Sequence, residues 1–219
     1  MKLVYESRAC AVLFNVLCSQ NSKRPFLLPS NVCPIVPITL LKAGCNFSLV
    51  DISAEDFFID RNECLRMVSK AQERYGGIIF VRTYGAEIDP GEFFAELKRL
   101  QPSLFIIDDK CLCSPDYDGL GLNPLADVTL FSSGYSKYVD LGFGGFAFLK
   151  DFVPHQRHAR KFTESALIDM TKRCNGAVAK RSLFEAAEGE WLDLAEPCFS
   201  WQSYRRRLMD ATSRTAQHK

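Results

Sequence analysis

The chain has 219 residues, 47% of them hydrophobic and 24% charged, which suits one large globular domain with a buried core and excludes a disordered or fibrous chain. Its 27 basic and 26 acidic side chains leave a formal net charge of +1, so no overall field favours nucleic acid or an anionic membrane; an anionic ligand has to be caught by local groups. The nine cysteines are odd in number, scattered and without repeated CxxC spacing, which argues against a metal site and for free thiols in a reducing, cytoplasmic setting. No signal-peptide-like start and no apolar run of membrane-spanning length is present.

In chain order, the first segment of regular pattern runs from about Ser7 to Leu17 (ACAVLFNVL). It is apolar almost all round and reads as a helix buried against other elements. From Phe26 to Lys150, short β-rich runs then alternate with segments of helical period, the pattern of an α/β fold with helices on both faces of a mostly parallel sheet. Strands are expected at Phe26–Leu28, Phe47–Val50, Ile78–Arg82, Leu104–Asp108, Val128–Ser132 and Gly145–Leu149. Between them, helices are expected at Val36–Ala43, Arg61–Arg74 and Pro90–Leu100, the last with Asp89 as N-cap and Pro90 in the first helical position. After Phe152 the composition turns basic and loses strand-like runs, so the chain divides into a large domain, 1–152, and a helical, loop-rich tail, 153–219. The tail's charge is read as a solvated helix face or an interface, since no nucleic-acid motif accompanies it.

Ligands of open α/β sheets bind beyond the carboxyl ends of the strands. Two places there carry chemistry: SLFIIDDKCLC, where a strand ends in Asp108 and Asp109, and DVTLFSSGYSKYVDLGFGGFAFL, where another ends in Ser132 and Ser133 and soon reaches Lys137. Each alone has an ordinary reading, a turn or cap for the acids and an exposed lysine. Together, an acid and a lysine at the carboxyl ends of neighbouring strands match what pyridoxal 5'-phosphate (PLP) requires. A buried carboxylate, Asp109, would keep the pyridine nitrogen protonated, and a lysine whose charged form is disfavoured, Lys137, would bond the cofactor aldehyde and serve as acid and base. Ser132 and the helix start Ser7–Arg8–Ala9 offer donors for the phosphate. Gly142, Gly144 and Gly145 would let the chain turn back into the sheet after Lys137.

The succession LLPSNVCPIVPITLLKAGCNFSLVDISAEDFFID, IIFVRTYGAEID, LFIIDDKCLC and LFSSGYSKYVDLGFGGFAFL resembles the DegT/DnrJ/StrS aminotransferases, over most of residues 5–152. The resemblance implies a fold-type-I PLP enzyme that aminates a nucleotide-linked keto-sugar with glutamate as amino donor, and a homodimer with composite active sites. By position it makes Asp109 the pyridine-binding aspartate, Lys137 the Schiff-base lysine, Ser132 the phosphate-binding serine, and Arg8 and Ala9 backbone phosphate contacts. The chain departs from the family pattern in four places. Cys33 stands where a ring would stack on the cofactor, Ser7 where the phosphate loop has glycine, Lys110 and Cys111 where small residues follow the aspartate, and Arg82 where histidine is frequent. It is also short, with 67 residues after Phe152 where relatives carry a complete small C-terminal domain. Two other readings stay open: a non-catalytic relative serving as a binding or assembly module, and an unrelated doubly wound nucleotide-binding domain in which Asp108 or Asp109 holds Mg²⁺.

Overall fold

In the computed structural model, the residues described are 1–21, 23–71, 73–158, a few positions between 163 and 180, residue 197, and 199–217. Seven strands form one sheet: β1 (Lys2–Glu6), β2 (Phe26–Pro29), β3 (Phe47–Val50), β4 (Gly77–Val81), β5 (Phe105–Asp109), β6 (Val128–Ser132) and β7 (Gly145–Leu149). Their spatial order is β1-β7-β6-β5-β4-β2-β3. Neighbours from β3 through β6 are parallel, and β7 runs antiparallel to both β6 and β1. The helices are α1 (Ala9–Cys18), α2 (Ile35–Lys42), α3 (Arg61–Lys70), α4 (Gly91–Leu100) and α5 (Trp201–Gln217), with a short 3₁₀ turn at Thr83–Gly85.

The two-residue period of the strands sorts their side chains into two layers. Leu28, Ile79, Ile107, Leu130, Ala147 and Leu149 point to one face and pack with Val12, Val16 and Leu40 of α1 and α2. Leu27, Ile78, Phe80 and Ile106 point to the other and meet Cys64 and Val68 of α3 and Phe93, Phe94 and Leu97 of α4. At the β6–β7–β1 end, the second face is covered by α5, whose Tyr204 and Leu208 pack with Phe131 and Phe146. The α/β class with helices on both sheet faces is thus as expected. As the sequence suggested, α1 is buried nearly all round, with eight of its ten residues buried.

The differences from the expected elements are local. The strands at β4 and β5 sit one residue away from the anticipated bounds. Helix α3 stops at Lys70 rather than Arg74, its start fixed by the Asp60 carboxylate accepting from the Glu63 amide at 3.0 Å. Asp89 lies one residue before the helical N-cap, which is Pro90, yet its carboxylate still accepts from the Gly91 amide at 2.9 Å. Strand β1 was not anticipated: KLVYE is short, and its partner β7 lies far along the chain, so no local pattern announces the pairing. Helix α5 lies in the tail; most of the tail between 159 and 198, with Cys174 and Cys198, lies outside the described residues.

Candidate active site

Strand alternation separates the two adjacent acids. Asp109 is paired in register with Leu130 and faces the α1–α2 layer, whereas Asp108 is paired with Thr129 and faces the α3–α4 layer. There the Arg82 guanidinium holds Asp108 through two bonds, Nε to Oδ1 at 2.7 Å and Nη2 to Oδ2 at 2.9 Å, with Nη1 donating to the Ile88 carbonyl. Both side chains are buried, at 4% and 1% exposure. Asp108 therefore has its charge matched inside the protein, and Arg82, which stands where histidine was anticipated, is held in that pair and does not line the cavity beside Asp109.

Asp109 opens instead into a cavity of about 470 Å³ at the carboxyl ends of the parallel strands. The same cavity is lined by Arg8, Ala9, Cys33, Ser132 and Lys137, so the structure brings together six of the seven residues singled out from the sequence. Ser7 does not line it; the Ser7 carbonyl instead accepts from the Gly144 amide at 2.7 Å, tying the start of α1 to the chain that re-enters the sheet. A side chain at Gly145 would run into the backbone of Arg8 and Ala9, so this close approach requires glycine. Arg8 opens α1 in extended conformation without a side-chain cap, which leaves the positive end of the helix dipole directed at the cavity wall.

Burial pushes the Asp109 carboxyl above the usual carboxylate range, opposed by the hydrogen bond from Cys111 and by the nearby Lys137 charge. Its Oδ1 accepts from the Cys111 amide at 3.0 Å. Burial also holds the Cys111 thiol well above its ordinary value, which keeps it protonated. Ser132 Oγ accepts from the Gly134 amide at 3.3 Å. Lys137 sits on the loop after β6, where Ser136 takes a left-handed backbone (φ 59°) and the Asp140 carboxylate accepts from the Ser136 and Gly142 amides at 2.9 and 2.8 Å. Cys33 lies in the turn before α2 and is exposed; beside it Val32, Pro34 and Ile35 give this wall an aliphatic rather than aromatic surface.

Cys10, Asn31, Thr83, Tyr84 and Tyr135, which the sequence did not single out, also line the cavity, as does Cys111 beside Asp109. Tyr84 follows the carboxyl end of β4 and, with φ 56°, stands 80% exposed at the mouth; its place just after an apolar run was the signal available. Among the described residues, no three His, Cys, Asp or Glu side chains converge as metal ligands, and no helix is long and apolar enough to cross a membrane.

No family model and no curated protein matches this sequence. Solved structures do. A Streptococcus pneumoniae protein described as a sugar aminotransferase, in its PMP form, superposes with a TM-score of 0.57 at 20% identity, covering 68% of this chain and 41% of that one. The chain has the fold of the PLP-dependent aminotransferases. A PLP-dependent aminotransferase from Bacillus cereus covers 97% of this chain and 54% of its own, with a TM-score of 0.59 at 14% identity. A DegT DnrJ EryC1 StrS aminotransferase from Brucella abortus covers 69% of this chain and 42% of its own, with a TM-score of 0.58 at 16% identity. The structural neighbours are thus of the type that the sequence motifs resemble, and this chain spans about half their length or less.

Proposed function

We propose that the cavity holds PLP and that the chain is the cofactor-binding part of an aminotransferase acting on a keto-sugar, nucleotide-linked, with glutamate as amino donor. The observation that carries this reading is that Asp109 and Lys137, from the ends of neighbouring parallel strands, face one cavity. Its volume is in the usual range for a cofactor-sized ligand.

The residues suit the group. A buried carboxyl with a raised pKa is costly to ionise alone and gains most from a cationic partner, and the protonated ring nitrogen of PLP is one. Ser132 and the dipole end of α1 at Arg8 and Ala9 suit the phosphate. When bound, PLP supplies an electron sink for the substrate's α-carbon. The chain's own part is to hold the ring at Asp109, anchor the phosphate at Ser132 and α1, and present the Lys137 amine as covalent anchor and proton carrier. The wall at Cys33, Val32 and Pro34 would grip the ring by aliphatic contact, with less stacking than an aromatic side chain gives. Residues 1–152 would form the cofactor-binding unit and residues 153–219 the opening of a C-terminal domain. A second copy, in a homodimer, would close the mouth where Tyr84 and Tyr135 lie exposed. The seven described cysteines are thiols rather than disulfides, which suits a reducing, cytoplasmic setting.

The test is to mix the purified protein with PLP, record the visible absorbance, reduce with borohydride and map the labelled peptide. Label on Lys137 is expected, and label on another lysine overturns the assignment. Adding glutamate should then convert the bound cofactor to its amine form. An unchanged spectrum after firm binding would point to the non-catalytic binding module instead.

A further inference from the structure

Lys137 lies midway along a loop whose ends are joined at Ser133. The Ser133 carbonyl accepts from the Leu141 amide at 2.9 Å, and the Ser133 amide donates to the Gly144 carbonyl at 3.2 Å. The Ser133 side chain at this junction is fully buried. Its Oγ lies 2.7 Å from the Phe143 carbonyl and 2.5 Å from the Tyr204 hydroxyl. A carbonyl only accepts, so the single Ser133 proton goes to the backbone and Tyr204 must be the donor to Ser133 Oγ. The direction of both bonds follows: Tyr204 O–H to Ser133 Oγ, then Ser133 O–H to the Phe143 carbonyl.

Tyr204 belongs to α5, far along the chain, and is fully buried within an aromatic cluster. Its ring centre lies 4.9 Å from Phe199, 5.8 Å from Trp201 and 6.2 Å from both Phe143 and Phe146. Packing alone would be served by phenylalanine, of which the chain has 17. A buried hydroxyl is costly unless bonded, so its one polar bond is what distinguishes tyrosine here. The ring also fills the space beside Gly144 (φ 91°), where a Cβ would approach Tyr204 Cε2 at 2.5 Å; Gly144 and Phe143 both line the cavity.

We propose that Tyr204 is a positioning residue for Lys137: its donor bond from α5 into Ser133 fixes the base of the lysine loop, so that the amine is held toward the wall formed by Asp109. Tyr204 does not itself line the cavity and acts through Ser133 and Gly144. The proposal rests on the PLP reading for its functional meaning, and its structural half stands on the loop alone. Burial raises the Tyr204 pKa, so the hydroxyl remains a donor at neutral pH.

The experiment compares wild type, Tyr204→Phe and, as a packing control in the same cluster, Leu208→Ala, each as the full chain. Amide hydrogen exchange over residues 134–142 is measured without PLP, and PLP retention is measured by visible absorbance. Tyr204→Phe should speed exchange in this loop and weaken PLP retention, each by about tenfold. Leu208→Ala should lower thermal stability and leave both readouts near wild type. If Tyr204→Phe matches wild type in loop exchange, or if Leu208→Ala loosens the loop as much, the proposal is overturned. Should Tyr204→Phe fail to fold, Ser133→Ala removes that bond together with the Ser133–Phe143 bond and is judged by the same two readouts, near-wild-type values for both overturning the proposal. If wild type itself takes no PLP at Lys137, the proposed function fails, and the exchange comparison still decides whether Tyr204 fixes the loop.

Discussion

Replacing Asp108 and Asp109 separately by asparagine should give opposite results, although the two are adjacent in sequence. Asp108→Asn removes the counter-charge of a buried guanidinium that is 4% exposed and makes two short bonds to that carboxylate. Breaking such a pair from one side costs about 3–5 kcal/mol, because the remaining charge stays buried. For a domain of this size that corresponds to a fall in Tm of roughly 6–20 °C. Asp109→Asn removes a carboxylate whose ionisation the fold disfavours. Its pKa is raised, so the native state is penalised as pH climbs above the unfolded carboxyl value and is free of that penalty in acid. The Asp109→Asn protein without cofactor should therefore be at least as stable as wild type at pH 7, the difference vanishing near pH 3. Its PLP retention should fall by roughly 10- to 100-fold, the value of a charge-assisted bond to the ring nitrogen. Urea unfolding at both pH values together with PLP titration measures all of this. An Asp108→Asn protein that loses less than about 1 kcal/mol, or an Asp109→Asn protein that retains PLP as wild type does, would refute the assignment of one acid to the scaffold and the other to the site.

Two further outcomes follow from the packing. Gly145→Ala would force a methyl group against the backbone of Arg8 and Ala9; we expect a loss of roughly 1–3 kcal/mol and weaker PLP retention, because the start of α1 must move, and an unaffected PLP affinity would show that α1 does not hold the phosphate. Burial, with Lys2, Arg157 and His158 nearby, pushes His155 down from 6.5 to about 4, so its contribution to stability is complete above pH 6.5 and is lost as pH falls toward 4. The urea midpoint should drop between pH 7 and pH 5, and His155→Asn should flatten that dependence.

Much of the cavity was legible in the sequence because its chemistry sits immediately after apolar runs. Leu104 to Asp108 and Val128 to Ser132 announce their strands, and a strand in a parallel sheet delivers its last residues, and those just after them, to the ligand-binding edge. Strand order alone therefore brings Asp109, Ser132 and Lys137 to the same edge of the sheet. The alternation of side chains was less informative by itself: whether Asp108 or Asp109 faces the cavity depends on which sheet face carries α1 and α2, and a shift of one residue exchanges them.

What the sequence determined by itself was the set of local choices: the helix and strand periods, the glycines after Lys137, and the placing of an acid and an amine at strand ends. These depend on neighbours within a few residues. The tertiary structure alone decided the rest: that β1 pairs with β7, that Arg82 neutralises Asp108, that the Ser7 carbonyl bonds to Gly144 rather than facing the cavity, and that Tyr204 reaches Ser133. Each joins residues distant in the chain through burial or a single hydrogen bond, and such contacts leave no periodic trace in the segments that make them.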